Sequence, residues 1–172
     1  MGLFRKNKME YITLLIDYKV NRSFERQTHY IRKGLRSMIS ERLFEMFNFA
    51  ELNYLLSGTG VIDVRDWRIH TAIHGHADKS YIEAFWTMVD TFSELDKSLL
   101  LKFVTSCERP SVLGFKDLRP PFTIMLTKAG NETLPVSHTC SNILELPVYS
   151  SAQRLREKVL YAIRSGSGFE LA

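Results

Sequence analysis

A chain of 172 residues, 45% apolar and 24% charged, has the composition of a globular protein and the length for one domain or two small lobes. Its net charge of +4 is mild. The basic clusters Arg32/Lys33/Arg36 and Arg5/Lys6/Lys8 come without interleaved aromatics or a recognition motif, so they read as solvated helix faces and nucleic acid is excluded as a partner.

The amino terminus, Met1-Gly2-Leu3-Phe4-Arg5-Lys6, has no secretory apolar core, and Lys6 stands where a myristoylation signal carries Ser or Thr. No run reaches the roughly 18 to 20 apolar residues of a membrane span, so no membrane association is expected. Tyr11, Leu14, Leu15 and Tyr18 recur at helical spacing and predict a first helix. A second is predicted over about 21–38, with Phe24, Ile31, Leu35 and Met38 as its apolar line. Two shorter clusters follow, Leu43/Phe44/Phe47 and Leu52/Leu55/Leu56. Ser57-Gly58-Thr59-Gly60 then offers two glycines in four small residues, and Gly58 and Gly60 are the candidate hinge.

Ile62-Asp63-Val64-Arg65-Asp66-Trp67 leads to His70, His74 and His76. These histidines lack a cysteine or carboxylate at ligand spacing, and His74-x-His76 does not place both rings on one helical face, so this stretch is expected to be a polar loop with no metal. Ser80-Tyr81-Ile82-Glu83 predicts a capped helix with Ile82, Phe85, Trp86, Val89 and Phe92 turned inward. Another helix is predicted from Ser93, burying Leu99, Leu100, Phe103 and Val104 and ending before Pro110. Cys107, at its end, is expected to be structural. Residues 122–127 alternate as a half-buried strand does, and a turn follows at Ala129-Gly130-Asn131. A second capping box, Ser150-Ser151-Ala152-Gln153, opens a last helix carrying Leu155, Val159, Ala162 and Ile163, which dissolves at Gly166-Ser167-Gly168 before a short tail with Phe169.

Between these lies Leu134-Pro135-Val136-Ser137-His138-Thr139-Cys140-Ser141-Asn142, a short polar segment holding one of only two cysteines, followed by a strand at 143–146. Two cysteines are too few for a disulfide-stapled scaffold and fit a reducing compartment. A thiol at the lip of a strand is accessible, and accessibility is what a nucleophilic thiolate needs.

The order Leu134-Pro135, His138-Thr139-Cys140, Asn142, Leu144, Leu146-Pro147, Tyr149, then a capped helix and Gly168-Phe169, resembles the catalytic lobe of HECT-type ubiquitin ligases. Ile62-Asp63-Val64, Asp66-Trp67, Leu101-Lys102-Phe103-Val104-Thr105, Arg109-Pro110 and Gly114-Phe115 are similar to the same family in the same order. Upstream, Glu10-Tyr11-Ile12, Asp17-Tyr18, Gly34-Leu35, Met46-Phe47 and Ser57-Gly58 resemble the end of its amino-terminal lobe.

The resemblance implies an α+β fold: residues 1–57 as the helical tail of the amino-terminal lobe, 58–61 as a hinge, and 62–172 as a small α/β catalytic lobe with a short sheet flanked by helices. It implies that Cys140 takes the ubiquitin carboxyl terminus as a thioester from a conjugating enzyme and passes it to a lysine of a protein substrate, with no cofactor. By the same match, the strand of Asn142, Ile143, Leu144 and Leu146 would hold the extended ubiquitin tail by strand addition, and Phe169 would act as an anchor in lysine transfer. His138 and Thr139 are read as shaping the loop rather than forming a Cys-His dyad. A cytoplasmic location, with the nucleus also compatible, accompanies this activity.

Two departures stand out. Ser141 replaces the phenylalanine the family usually has after the cysteine, and the part of the amino-terminal lobe that docks the conjugating enzyme is largely missing. The expectation is therefore a ligase in truncated or fragmentary form, with a non-catalytic ubiquitin- or partner-binding remnant as the alternative. A cysteine hydrolase would need, in addition, a base oriented by a third group.

Overall fold

The computed structural model describes residues 7–75 and 79–165. The chain divides into two compact units, and the division falls between Leu52 and Asn53.

The first unit is helical. Helix α1 spans Lys8–Val20, a 3-10 turn at Arg22–Phe24 leads into α2 (Glu25–Met38), α3 (Glu41–Glu45) follows, and the division falls within the next helix, α4 (Phe49–Ser57). The second helix thus starts after the predicted Asn21, because that residue instead caps α1, its backbone N–H bonding the Asp17 carbonyl. The apolar stripes read from the sequence are present but uncovered. None of these four helices has a buried residue, and Met38, at the end of the α2 stripe, is 88% exposed. An amphipathic helix gains most of its stability from burying such a stripe, and here that gain is not taken.

The second unit carries the core. Asp63 caps α5 (Val64–Ile69), its carboxylate accepting the backbone N–H groups of Arg65 at 2.9 Å and Asp66 at 3.1 Å. Strand β1 (Ala72–His74) comes next, then α6 (Lys79–Asp90) and α7 (Glu94–Thr105). Strands β2 (Thr123–Thr127), β3 (Val136–His138) and β4 (Ile143–Pro147) and the last helix, α8 (Ala152–Ser165), complete it. The α+β expectation holds. The sheet runs β1-β2-β4-β3, with β1, β2 and β4 parallel and β3 antiparallel to β4.

The in-register residues Ile124 and Leu144, and Leu126 and Leu146, share the core-facing side of the sheet. They join Phe85, Trp86 and Val89 of α6, Leu100, Leu101 and Val104 of α7, and Leu155, Val159 and Ile163 of α8. Each large apolar side chain removed from water here contributes about 1.5–3 kcal/mol. Trp67 of α5 sits at the centre, fully buried, stacked on Phe115 at 4.9 Å and met edge-on by Phe122 and Trp86.

Several local expectations are corrected. The stretch read as a polar histidine loop contains β1, which pairs with β2 from Ala72↔Thr123 to His74↔Met125. Helix α6 starts at Lys79, so Ser80 lies in its first turn, and the Glu83 carboxylate pairs with Arg68 of α5 rather than reaching back to close a capping box. The α8 cap is Ser151, one residue later than predicted, its hydroxyl accepting the Arg154 N–H at 3.1 Å. Helix α7 ends before the proline takes effect: Ser106 adopts a left-handed conformation (φ 62°) and returns its N–H to the Lys102 carbonyl. Cys107 is exposed rather than packed.

Candidate functional site

Cys140 lies in the tight connection between β3 and β4, with Thr139, Ser141 and Asn142. The ladder closes at His138↔Ile143, and the Ser141 N–H bonds the His138 carbonyl at 3.1 Å, making a turn that carries Cys140 near its tip. Strand β3 was not legible as a strand, being three residues long beside a proline. It is what turns the polar segment into a hairpin. The Cys140 thiol is free and exposed, as a nucleophile requires.

The His138 ring is engaged by Glu145. Its Nε2 meets Glu145 Oε1 at 2.9 Å across the β3–β4 ladder, on the sheet face opposite Leu144 and Leu146. The pair is half-exposed, with side-chain exposures of 51% and 36%, and is a surface contact of small energetic weight. Glu145 was not among the residues singled out from sequence. Its place between two buried leucines was the available signal, since strand alternation puts it on the opposite face. Thr139 is a half-buried residue of the same turn.

The predicted strand-addition surface needs correction. Strand β4 pairs with β2 on one side and β3 on the other, so no edge is open to an incoming peptide along 143–147. Leu144 (1% exposed) and Leu146 (0%) are core residues. Ile143 is half-buried on the other sheet face. Asn142 is 6% exposed, and its carboxamide donates to the Pro120 carbonyl at 2.6 Å. Among the described residues the sheet edges belong to β1 and β3, and β3 runs directly into the cysteine turn.

The approach to β3 is fastened to α8. Glu132 accepts hydrogen bonds from Lys158 and Arg154, which hold its carboxyl below the ordinary range, and Lys158 also reaches the Glu132 carbonyl at 3.0 Å. The Ser150 N–H bonds Asn131 Oδ1 at 2.9 Å, and the buried Tyr149 hydroxyl donates to the Thr133 carbonyl at 2.6 Å. Burial pushes the Tyr149 phenol well above its usual value, keeping it a neutral donor.

Gly58 has φ 77° and closes α4, its N–H on the Tyr54 carbonyl at 3.0 Å. A side chain there would overlap the Pro110 carbonyl, which also accepts the Thr59 N–H at 3.0 Å. Gly58 is therefore pressed against Pro110, whereas open space surrounds Gly60. His70 bonds Asp66 through Nδ1, and among the described residues no group of three His, Cys, Asp or Glu side chains could hold a metal ion. No helix among them is long and apolar enough to cross a membrane. His76 and Phe169 lie outside the described residues.

The family profile of the HECT-domain (ubiquitin-transferase) matches residues 3–172. A probable E3 ubiquitin protein ligase of Schizosaccharomyces pombe is 40% identical over 98% of this chain and 17% of its own length. An E3 ubiquitin-protein ligase of Caenorhabditis elegans is 37% identical over 97% of the chain and 17% of its own. Ubiquitin-protein ligase E3B of Mus musculus is 34% identical over 97% of the chain and 18% of its own. The chain thus spans less than a fifth of the length of these relatives. An exposed thiol on a hairpin of a small α+β lobe, in a chain matched along nearly its whole length, fixes the assignment: the protein belongs to the HECT-domain family of ubiquitin transferases.

Proposed function

We propose that this chain is the catalytic part of a HECT-type ubiquitin-protein ligase in which Cys140 carries ubiquitin as a thioester. The observation behind this reading is the free, exposed Cys140 thiol at the β3–β4 turn of a HECT-family chain. In the first step the Cys140 thiolate attacks the carbonyl of the thioester joining ubiquitin to a conjugating enzyme. A new C–S bond forms, the old one breaks, and the conjugating enzyme leaves as its own thiolate. In the second step a neutral lysine amine of a substrate attacks the Cys140 thioester. The C–N bond forms, the Cys140 thiolate is released and the amine proton passes to solvent.

The first step exchanges similar leaving groups, so its rate depends on thiolate availability and alignment more than on driving force. His138 is engaged with Glu145, which supports its reading as a residue shaping the turn rather than as a base for Cys140. An extended ubiquitin tail finds its nearest open sheet edge along β3, residues 136–138, where strand addition would lead it to Cys140. Swinging of the lobe about the residues near Gly60 and contact of Phe169 with the transfer site belong to the same reading. So does a place of action in the cytoplasm or nucleus.

The partners are ubiquitin, a charged conjugating enzyme and protein substrates. The test is incubation of the chain, alone and extended upstream as in its relatives, with a ubiquitin-charged conjugating enzyme. A ubiquitin adduct that a reducing agent removes supports the reading, and transfer by neither form rejects it. The second reading, a non-catalytic binding module, draws on the first unit, whose described helices bury no side chain and so offer no packed platform for a conjugating enzyme. It predicts ubiquitin binding without any labile adduct.

A further inference from the structure

Three features converge on Asn142, two residues beyond the nucleophile. Its backbone is left-handed, φ 53°, a conformation that asparagine tolerates better than most residues because its short polar side chain bonds locally. Its buried carboxamide donates to the Pro120 carbonyl at 2.6 Å. Its own carbonyl accepts the Thr123 N–H at 2.9 Å, at the first residue of β2. The far end of the cysteine turn is thus fastened to the segment 120–123 at two points, independently of the β3–β4 ladder. Without the carboxamide bond the turn would keep its ladder, its internal Ser141–His138 and Asn142–Thr139 backbone bonds and the Asn142 carbonyl's bond to Thr123, but the side-chain tie to Pro120 would be gone and Cys140 would gain freedom to pivot.

We infer that Asn142 is a positioning residue: its carboxamide, locked on Pro120, holds the turn so that the Cys140 sulfur faces an incoming ubiquitin thioester along its line of attack. This rests on the reading of Cys140 as the ubiquitin acceptor. The chemistry of the contact selects the side chain. Aspartate has the same shape and tolerates the same backbone, but it would set a carboxylate oxygen against the Pro120 carbonyl where the N–H now donates. Glycine would keep the left-handed backbone and delete the donor.

The test uses the full chain and ubiquitin bearing a carboxyl-terminal thioester to a small mercaptan, a donor that needs no conjugating-enzyme docking. Loading of Cys140 is followed against donor concentration for wild type, Asn142→Asp and Asn142→Gly. Thermal unfolding and the rate of Cys140 alkylation by iodoacetamide are measured on the same samples. Positioning predicts a loss of at least tenfold in the maximal loading rate for both variants, with the half-saturating donor concentration and the alkylation rate each within about twofold of wild type. A small electrophile needs exposure but not a fixed line of approach. Loading at the wild-type rate in a folded variant overturns the inference, as does a loss matched by an equal loss of alkylation, which marks a role in folding alone. Should Asn142→Asp fail to fold, Asn142→Gly decides on the same criteria. A wild-type chain that never loads Cys140 rejects the acceptor reading itself, an outcome separate from the variants' behaviour.

Discussion

The Asp66 carboxylate accepts the backbone N–H of Phe115 at 2.8 Å, while the rings of the next residue, Trp67, and of Phe115 stack 4.9 Å apart and 5° from parallel. One hydrogen bond and one ring stack therefore join two short sequence motifs that lie 49 residues apart. The geometry explains why glycine precedes Phe115. Gly114 has φ 82°, and a side chain there would press on the Asp66 carboxylate.

Asp66→Ala should destabilise the second unit by about 1.5–3 kcal/mol, because it removes a charged acceptor and strands the N–H of a buried residue. Urea unfolding followed by tryptophan fluorescence measures this, since both tryptophans, Trp67 and Trp86, lie in this core. A change under half a kcal/mol would mean that the contact carries little. Asp66→Asn should fall in between, keeping an acceptor but losing its charge.

Asp96 gives a prediction with pH. Arg164 donates to both of its oxygens at 2.9 Å, and Ser93 adds a third hydrogen bond at 2.8 Å. Chiefly through the Arg164 bonds, the Asp96 carboxyl is held below its ordinary value of 3.8 despite burial acting the other way. A carboxyl lowered in the folded state contributes stability that is present in full above its unfolded value and is lost as pH falls through its folded value. The stability gap between wild type and Asp96→Asn should therefore be constant near neutrality and shrink as pH drops below about 4. Denaturant midpoints from pH 7 down to pH 2.5 would show it. A gap that widens in acid would contradict the assignment.

Leu146 separates core from ligand contact. A leucine that only touched a bound ubiquitin tail could be truncated without affecting the fold. Leu146 is fully buried in a strand paired on both sides, so Leu146→Ala should cost about 2–5 kcal/mol of stability. Val136, on the neighbouring open edge, is 48% exposed, and Val136→Ala should change stability by less than about 1 kcal/mol. Denaturation of both variants decides, and equal costs would contradict the strand order.

Most of the helical framework was legible because long periodic stripes specify helices directly: Phe85, Trp86 and Val89 pointed to the core they occupy. Strands of three residues carry too few positions to show alternation, so β1 hid among histidines and β3 beside a proline. Pairing order is a tertiary property that no local pattern encodes. Residues 143–146 were therefore recognised as a strand but assigned an open edge that belongs to β3. The role of Asn142 escaped for the same reason, since its partner, Pro120, lies 22 residues away. Its local signal was an asparagine closing a polar turn just before a strand, where a left-handed residue is wanted. The stripes of α1 and α2 were read correctly as apolar faces, but a stripe does not say what will cover it.

The claim on which the account depends is that ubiquitin travels on the sulfur of Cys140, and two free exposed thiols make this a choice between named sites. The deciding measurement is intact mass of wild type, Cys140→Ala and Cys107→Ala after reaction with a ubiquitin thioester, before and after treatment with a reducing thiol. The account predicts a single reducible ubiquitin adduct on wild type and on Cys107→Ala, and none on Cys140→Ala. A reducible adduct that persists in Cys140→Ala and disappears in Cys107→Ala would contradict it.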